Sequence, residues 1–182
     1  MLRKLLLLPL LLSASLAFAT PIVLTVEGSG PSKSAGLANG TDNVVTHDAA
    51  GSFTDLFTLQ VDGAAWIDAQ ISVQWITGFD SMEIGFNPSN ILLGGQSFHE
   101  VSHSTSGGQT KYVYAVSPFL FSGGTLDLSV SGRAGSLDLD PGEEIMASYS
   151  GQININEVPE PASLALVGAA LGGLAWTRRR KA

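Results

Sequence analysis

The chain has 182 residues and is acidic, with 16 Asp and Glu against 9 Lys and Arg, a formal net charge of −7 and no cysteine. This length leaves room for one core once the terminal segments are set aside. The acidic balance argues against nucleic acid and anionic lipid head groups as partners, and the missing cysteines exclude both a disulfide framework and thiolate chemistry.

The first nineteen residues read as an address. Arg3 and Lys4 give a positive start, Leu5 to Leu12 an apolar core, and Ala17-Phe18-Ala19 a small-x-small cleavage site. Cleavage after Ala19 makes residues 1–19 a signal peptide, 20–157 an exported domain and 158–182 a separate C-terminal segment. Between Thr20 and Val158 only Lys33, Lys111 and Arg133 face fifteen acids, a formal charge of −12. Such a body is expected to be soluble, and its stability must come from apolar burial and hydrogen bonding.

Ile22 to Glu27 is β-branched and alternating, a first strand. Gly28 to Gly40, rich in Gly, Ser and Ala, reads as a loop, and Asn39-Gly40 as a turn despite the formal sequon with Thr41. In Ser52 to Val61 the residues Phe53, Asp55, Phe57, Leu59 and Val61 share one face. A carboxylate on that face needs partners. Either Asp55 sits at a strand edge, satisfied by backbone N–H groups or a cation, or the strand begins after it. The plainer second arrangement is the expected one.

Ile67, Ala69, Ile71, Val73 and Trp75 alternate with polar residues, a half-buried strand. Met82, Ile84 and Phe86 repeat the pattern, and Asn87-Pro88-Ser89-Asn90 is expected to turn the chain. Lys111 to Val116, Leu126-Leu128-Val130, and the alternating run Ile145-Ala147-Tyr149-Gly151-Ile153-Ile155 follow. No stretch of this region has a sustained 3.6-residue stripe. Short alternating strands between Gly and Pro turns predict an all-β fold, an antiparallel β-sandwich or jelly roll.

Val158 to Ala182 differs from everything before it. Pro159-Glu160-Pro161 precedes an apolar run of 15 residues, Ala162 to Trp176, and then the cations Arg178, Arg179, Arg180 and Lys181. As a helix the run spans about 22 Å, short of the ~30 Å hydrocarbon core, with Trp176 and the snorkelling cations making up the difference. It predicts a single transmembrane helix with its basic end on the cytoplasmic side. This tripartite order resembles the PEP-CTERM sorting signal. The resemblance implies processing by an exosortase in bacteria that make exopolysaccharide, with transient anchoring in the inner membrane before release to the cell surface or extracellular matrix.

A second resemblance lies in the body of the chain. Phe53-x-Asp55-x-Phe57, the Gly124-Thr125-x-x-Leu128-x-Val130-x-Gly132 strand and Tyr149-Ser150-Gly151-x-x-Asn154 are similar to the FxDxF family of PEP-CTERM proteins. The Ser136 to Glu144 loop departs from that pattern by being longer and more acidic. This resemblance implies location and architecture, and no reaction.

Two clusters and one tryptophan are candidates for chemistry. His99-Glu100-Val101-Ser102-His103 matches H-E-x-x-H, which binds zinc when both His lie one helical turn apart. Gly94-Gly95 and Gly107-Gly108 box it in, and a strand here would separate the two His by about 13 Å. A chance match on a polar hairpin is the expected reading, and a zinc hydrolase the rival. Asp138, Asp140, Glu143 and Glu144 surround Pro141-Gly142; a solvated acidic turn is expected, with calcium as the alternative. Trp66 points to the outward face of its strand, where it either stacks on a sugar or, as expected, is covered by a loop or second sheet. The sequence thus predicts a non-enzymatic exported protein without a cofactor, structural or adhesive in an exopolysaccharide matrix, with a carbohydrate-binding module as the alternative.

Overall fold

The structure is a computed structural model that describes residues 20–37 and 43–159. In chain order the strands are β1 (Ile22–Val23), β2 (Ser32–Gly36), β3 (Val44–Ala49), β4 (Gly51–Val61), β5 (Ala65–Ile76), β6 (Ile84–Leu93), β7 (Gln96–Ser97), β8 (His99–Ser106), β9 (Gln109–Phe121), β10 (Gly124–Ala134) and β11 (Glu144–Glu157), with one 3₁₀ turn at Asp80–Met82. They form two sheets. The first runs β1-β4-β10-β6-β7 and the second β2-β11-β5-β9-β8, with β3 also paired to β11. The early part of β11 holds β3 and the later part β2. Among the described residues no helix is long and apolar enough to cross a membrane. The predicted span 162–176 lies outside the described residues, as do Ala17, Ala19 and the Asn39-Gly40-Thr41 turn.

Alternation explains the layers. The run predicted from Ile145 to Ile155 faces inward along β11, and Ala147, Tyr149, Ile153 and Ile155 are buried. Ile67, Ala69, Ile71 and Val73 do the same in β5, and Phe57, Leu59, Val61, Leu126, Leu128 and Val130 close the core from the first sheet. Two residues of the inner faces are glycines because nothing larger fits. A Cβ on Gly151 would lie 2.4 Å from Leu37 Cδ1 and 2.9 Å from the Gln70 carbonyl oxygen; one on Gly132 would meet the Gly85 carbonyl oxygen, Phe53 and Phe86, each at 2.9 Å.

Four expectations are corrected. The first strand is only Ile22–Val23 and pairs with β4 in parallel, so the sandwich is not wholly antiparallel. Leu24 still donates its N–H to the Thr58 carbonyl of β4, and only at Glu27 does the segment reach the other sheet, bridging Ser34. The Gly28 to Gly40 loop contains β2, whose small side chains let it lie along β11 with only Ala35 of the strand buried. Asn87 to Asn90 do not reverse the chain. They are extra residues inside β6, since Phe86 pairs with Gly132 and Ile91 with Val130, and Ser131 alone opposes all four. The turn chemistry is real but local: Asn87 Oδ1 accepts from the Ser89 N–H at 3.1 Å. Finally, β4 begins at Gly51, ahead of Asp55.

Candidate functional site

Because β4 runs through Asp55, the carboxylate points between the sheets. Its partners are side chains, not backbone N–H groups. The buried Tyr149 hydroxyl, from β11 in the opposite sheet, donates to Asp55 Oδ2 at 2.6 Å. His47 Nε2, from β3, lies 3.1 Å from the same oxygen as a second donor. The chain reaches this arrangement by crossing at Ala50 from β3 in one sheet to β4 in the other, so His47 and Asp55 meet across the crossing. Phe53 stacks on His47 with ring centroids 3.9 Å apart and lies parallel to Tyr149 at 6.1 Å, while Phe86 meets Tyr149 edge-on at 5.5 Å. Gly132 is the small floor under Phe53 and Phe86. Phe57 is separate from this group and fully buried in the main core. The cluster therefore ties the two sheets at one end with polar contacts wrapped in aromatic rings.

His47 and the whole of β3 escape sequence reading. The alternation of Val45, His47 and Ala49 in Val-Val-Thr-His-Asp-Ala is the only local signal, and its polar content masks it.

The Tyr149 phenol is held well above its ordinary value of 10.0, first by burial and then by its bond to Asp55 and that carboxylate's charge. Tyr114 is pushed up to about 12 by burial, with smaller contributions from Glu100 and Tyr112. The sign follows from proton counting. Above the ordinary value of 10.0 the unfolded chain loses phenolic protons that the folded domain keeps. Stability is thus fully present below that pH and falls as pH rises beyond it. Thermal midpoints measured from about pH 8 to about pH 12 are expected to drop at the alkaline end, and Tyr149→Phe is expected to make the drop shallower. An unchanged alkaline slope in Tyr149→Phe would show that Tyr149 does not carry the effect.

The remaining candidates fall elsewhere. His99, Glu100 and His103 lie on β8, a strand at the sheet's end whose eight residues are all exposed. A strand does not place the two imidazoles one helical turn apart, and His103 instead stacks on Tyr112 at 4.1 Å. The segment is the first arm of a hairpin, joined to β9 through Gly107 and Gly108, both at positive φ. In the acidic loop, Glu143 Oε2 accepts from the Asp140 N–H at 3.3 Å. The Arg133 guanidinium donates to the Ser136 carbonyl at 3.2 Å and the Leu139 carbonyl at 2.9 Å, so a cation already draws this loop's backbone oxygens together. Among the described residues no three His, Asp or Glu are gathered in a way that could hold a metal ion.

Trp66 overturns the expectation that it is covered. It is 51 % exposed on the outward face of β5. There Trp66, Asp68, Gln70 and Ser72 stand directly opposite Asn156, Asn154, Gln152 and Ser150 of β11.

The C-terminal end of β11 completes the geometry. Ile155 is the last buried apolar residue. Beyond it the Glu157 N–H donates to the Pro31 carbonyl at 2.6 Å and the Val158 N–H to the Ala64 carbonyl at 2.8 Å. Lys33 forms an ion pair with Glu157 and lies 3.8 Å from Asp62. Its ammonium is held above the usual lysine value, chiefly by the hydrogen bond to Glu157. The body is thus fastened through Val158, and Pro159 follows at once. Residues 157–181 match the family model of the PEP-CTERM protein-sorting motif.

The chain carries a PEP-CTERM sorting motif.

The PEP-CTERM match begins at the last residue of β11, so no spacer separates motif from body. The motif implies exosortase-dependent sorting of an exported protein to the cell surface. Of its predicted parts Pro159 is the only one described; Glu160, Pro161, Arg178, Arg179, Arg180 and Lys181 lie outside the described residues. The match does not reach Phe53, Asp55 and Phe57, whose likeness to the FxDxF family stays a resemblance. No curated protein and no solved structure matches the chain.

Proposed function

We propose that the β domain is non-catalytic cargo: a structural or adhesive protein delivered to the cell surface or into an exopolysaccharide matrix. In this reading the signal peptide directs export through the inner membrane. The apolar run 162–176 holds the chain there briefly, with the basic end on the cytoplasmic side. An exosortase-type enzyme then cuts near Pro159-Glu160-Pro161. The junction carries the proposal. Every described core residue lies before Glu157, and the backbone is fastened through Val158, so cutting at the tripeptide removes the tail without opening the core. A body of formal charge −12 suits a hydrated matrix and avoids anionic membrane surfaces.

Deleting Pro159 to Pro161 tests this. The expected result is a chain that keeps its tail, with the mass of the unprocessed form, and stays in the membrane fraction. Processing and surface delivery identical to the wild type would overturn the reading.

A further inference from the structure

We propose that the outward face of the second sheet is a binding platform for a neutral polysaccharide, with Trp66 as its stacking surface and the amide row of β11, with Gln70 of β5 beside it, as its hydroxyl-reading groups. The proposal deepens the matrix reading and rests on it for the setting in which the polymer is met.

A saccharide chain presents two kinds of surface, C–H faces and hydroxyls that both donate and accept. The sheet presents complements to both. Trp66 offers a half-exposed indole and stands in register with Leu120 of β9, which is 59 % exposed, so an apolar step adjoins the polar rows. Its large amphipathic ring is a surface on which the C–H face of a sugar can pack. Beside it, Asn and Gln side chains each carry donors and acceptors on one group. They are held in place: Asn154 Nδ2 donates to Asp68 Oδ1 at 2.7 Å, Gln152 Nε2 to Asn154 Oδ1 at 3.2 Å, and Ser32 Oγ to Asn156 Oδ1 at 3.0 Å. Such preorganisation lowers the ordering cost of binding, and each amide keeps hydrogen-bonding capacity beyond these contacts.

The shape favours a polymer. One groove, of about 340 Å³, lies over Gln70, Ser72, Ser150 and Gln152. A second, of about 550 Å³, lies over Ser32, Ser34, Asp68 and Asn156. Both are lined by Gln152 and Asn154, so they form one open trough across β2, β11 and β5. Charge selects the class of polymer. Asp68 is the one acidic side chain among the facing pairs from Trp66–Asn156 to Ser72–Ser150. Glu27 and Lys33 also line the second groove, Lys33 already paired to Glu157, and the body around them is strongly acidic. A uronate or sulfated polymer is repelled, and a neutral one is not.

The full-length protein in detergent, mixed with insoluble cellulose, chitin or β-1,3-glucan and with calcium alginate as the anionic control, gives the test. Retention on at least one neutral polymer is expected, stronger than on alginate. Trp66→Ala is expected to weaken it at least about tenfold, the equivalent of about 1.4 kcal/mol of lost stacking, and Asn154→Ala to weaken it several-fold. Trp66 faces outward, so an unchanged unfolding midpoint in Trp66→Ala separates lost binding from lost fold. Retention on none of the neutral polymers, stronger retention on alginate, or undiminished retention of Trp66→Ala would overturn the platform. Fractionating cells that express the wild type keeps the two readings apart. A processed protein at the surface that binds no neutral polymer ends the platform alone, whereas failure to reach the surface ends the matrix reading, whatever is bound in the tube.

Discussion

Asp55→Ala is expected to destabilise the domain by about 2–4 kcal/mol in equilibrium urea unfolding, because it strips the acceptor from a buried phenol and from an imidazole at once. The Tyr149 hydroxyl would be left with a lost charge-assisted bond and its desolvation cost. The upper end of the range is tempered by partial solvent access, since the His47 and Asp55 side chains are 16 % and 19 % exposed. Asp55→Asn separates the two contributions. Its amide oxygen still accepts from Tyr149, so the loss should be about half as large, roughly 1–2 kcal/mol. A loss below about 1 kcal/mol in Asp55→Ala would mean that water satisfies the Tyr149 hydroxyl, and that the two sheets are not held together there.

Phe57→Ala is expected to cost about 3–5 kcal/mol, the usual range for emptying a fully buried aromatic position. Phe57 is 1 % exposed and packs in the main core, whereas Phe53 is only partly buried, packed against the rim beside His47. Phe53→Ala should therefore cost about 1–2 kcal/mol, since the ring is only partly buried in the folded domain. The two aromatics of one short motif thus have different duties. Phe57 fills volume between the sheets, and Phe53 covers the Asp55 contacts. Equal losses at both positions in the same urea experiment would reject that division.

Much of the sandwich was legible because the inward residues follow a two-residue period. The inner faces of β5, β10 and β11 are the alternating runs named from sequence, and the hairpin around Gly107-Gly108 follows from its glycines. Where pattern reading failed, the signal was weak or non-local. Ser32–Gly36 has small polar residues that look like a loop until β11 offers a pairing edge. Val44–Ala49 hides its alternation behind Thr, His and Asp. Asn87 to Asn90 carry true turn chemistry, but β10 holds the chain straight on either side of them. Asp55 was the sharpest case. A carboxylate among aromatics looks unaffordable when its donors lie 8 positions before it and 94 after it in the sequence.

Two features can be read from local sequence alone: the sorting motif and the layered character of the body. Both are written in contiguous residues: three ordered blocks at the C-terminus, and side chains that alternate along each strand. Other features emerge only when the strands are brought together: Asp55 is satisfied by His47 and Tyr149, Trp66 stands uncovered beside a row of amides, and the body is fastened up to the residue before Pro159. Those outcomes depend on which strands become neighbours. Neighbours are chosen by burial summed over the whole core, and no single segment carries that sum.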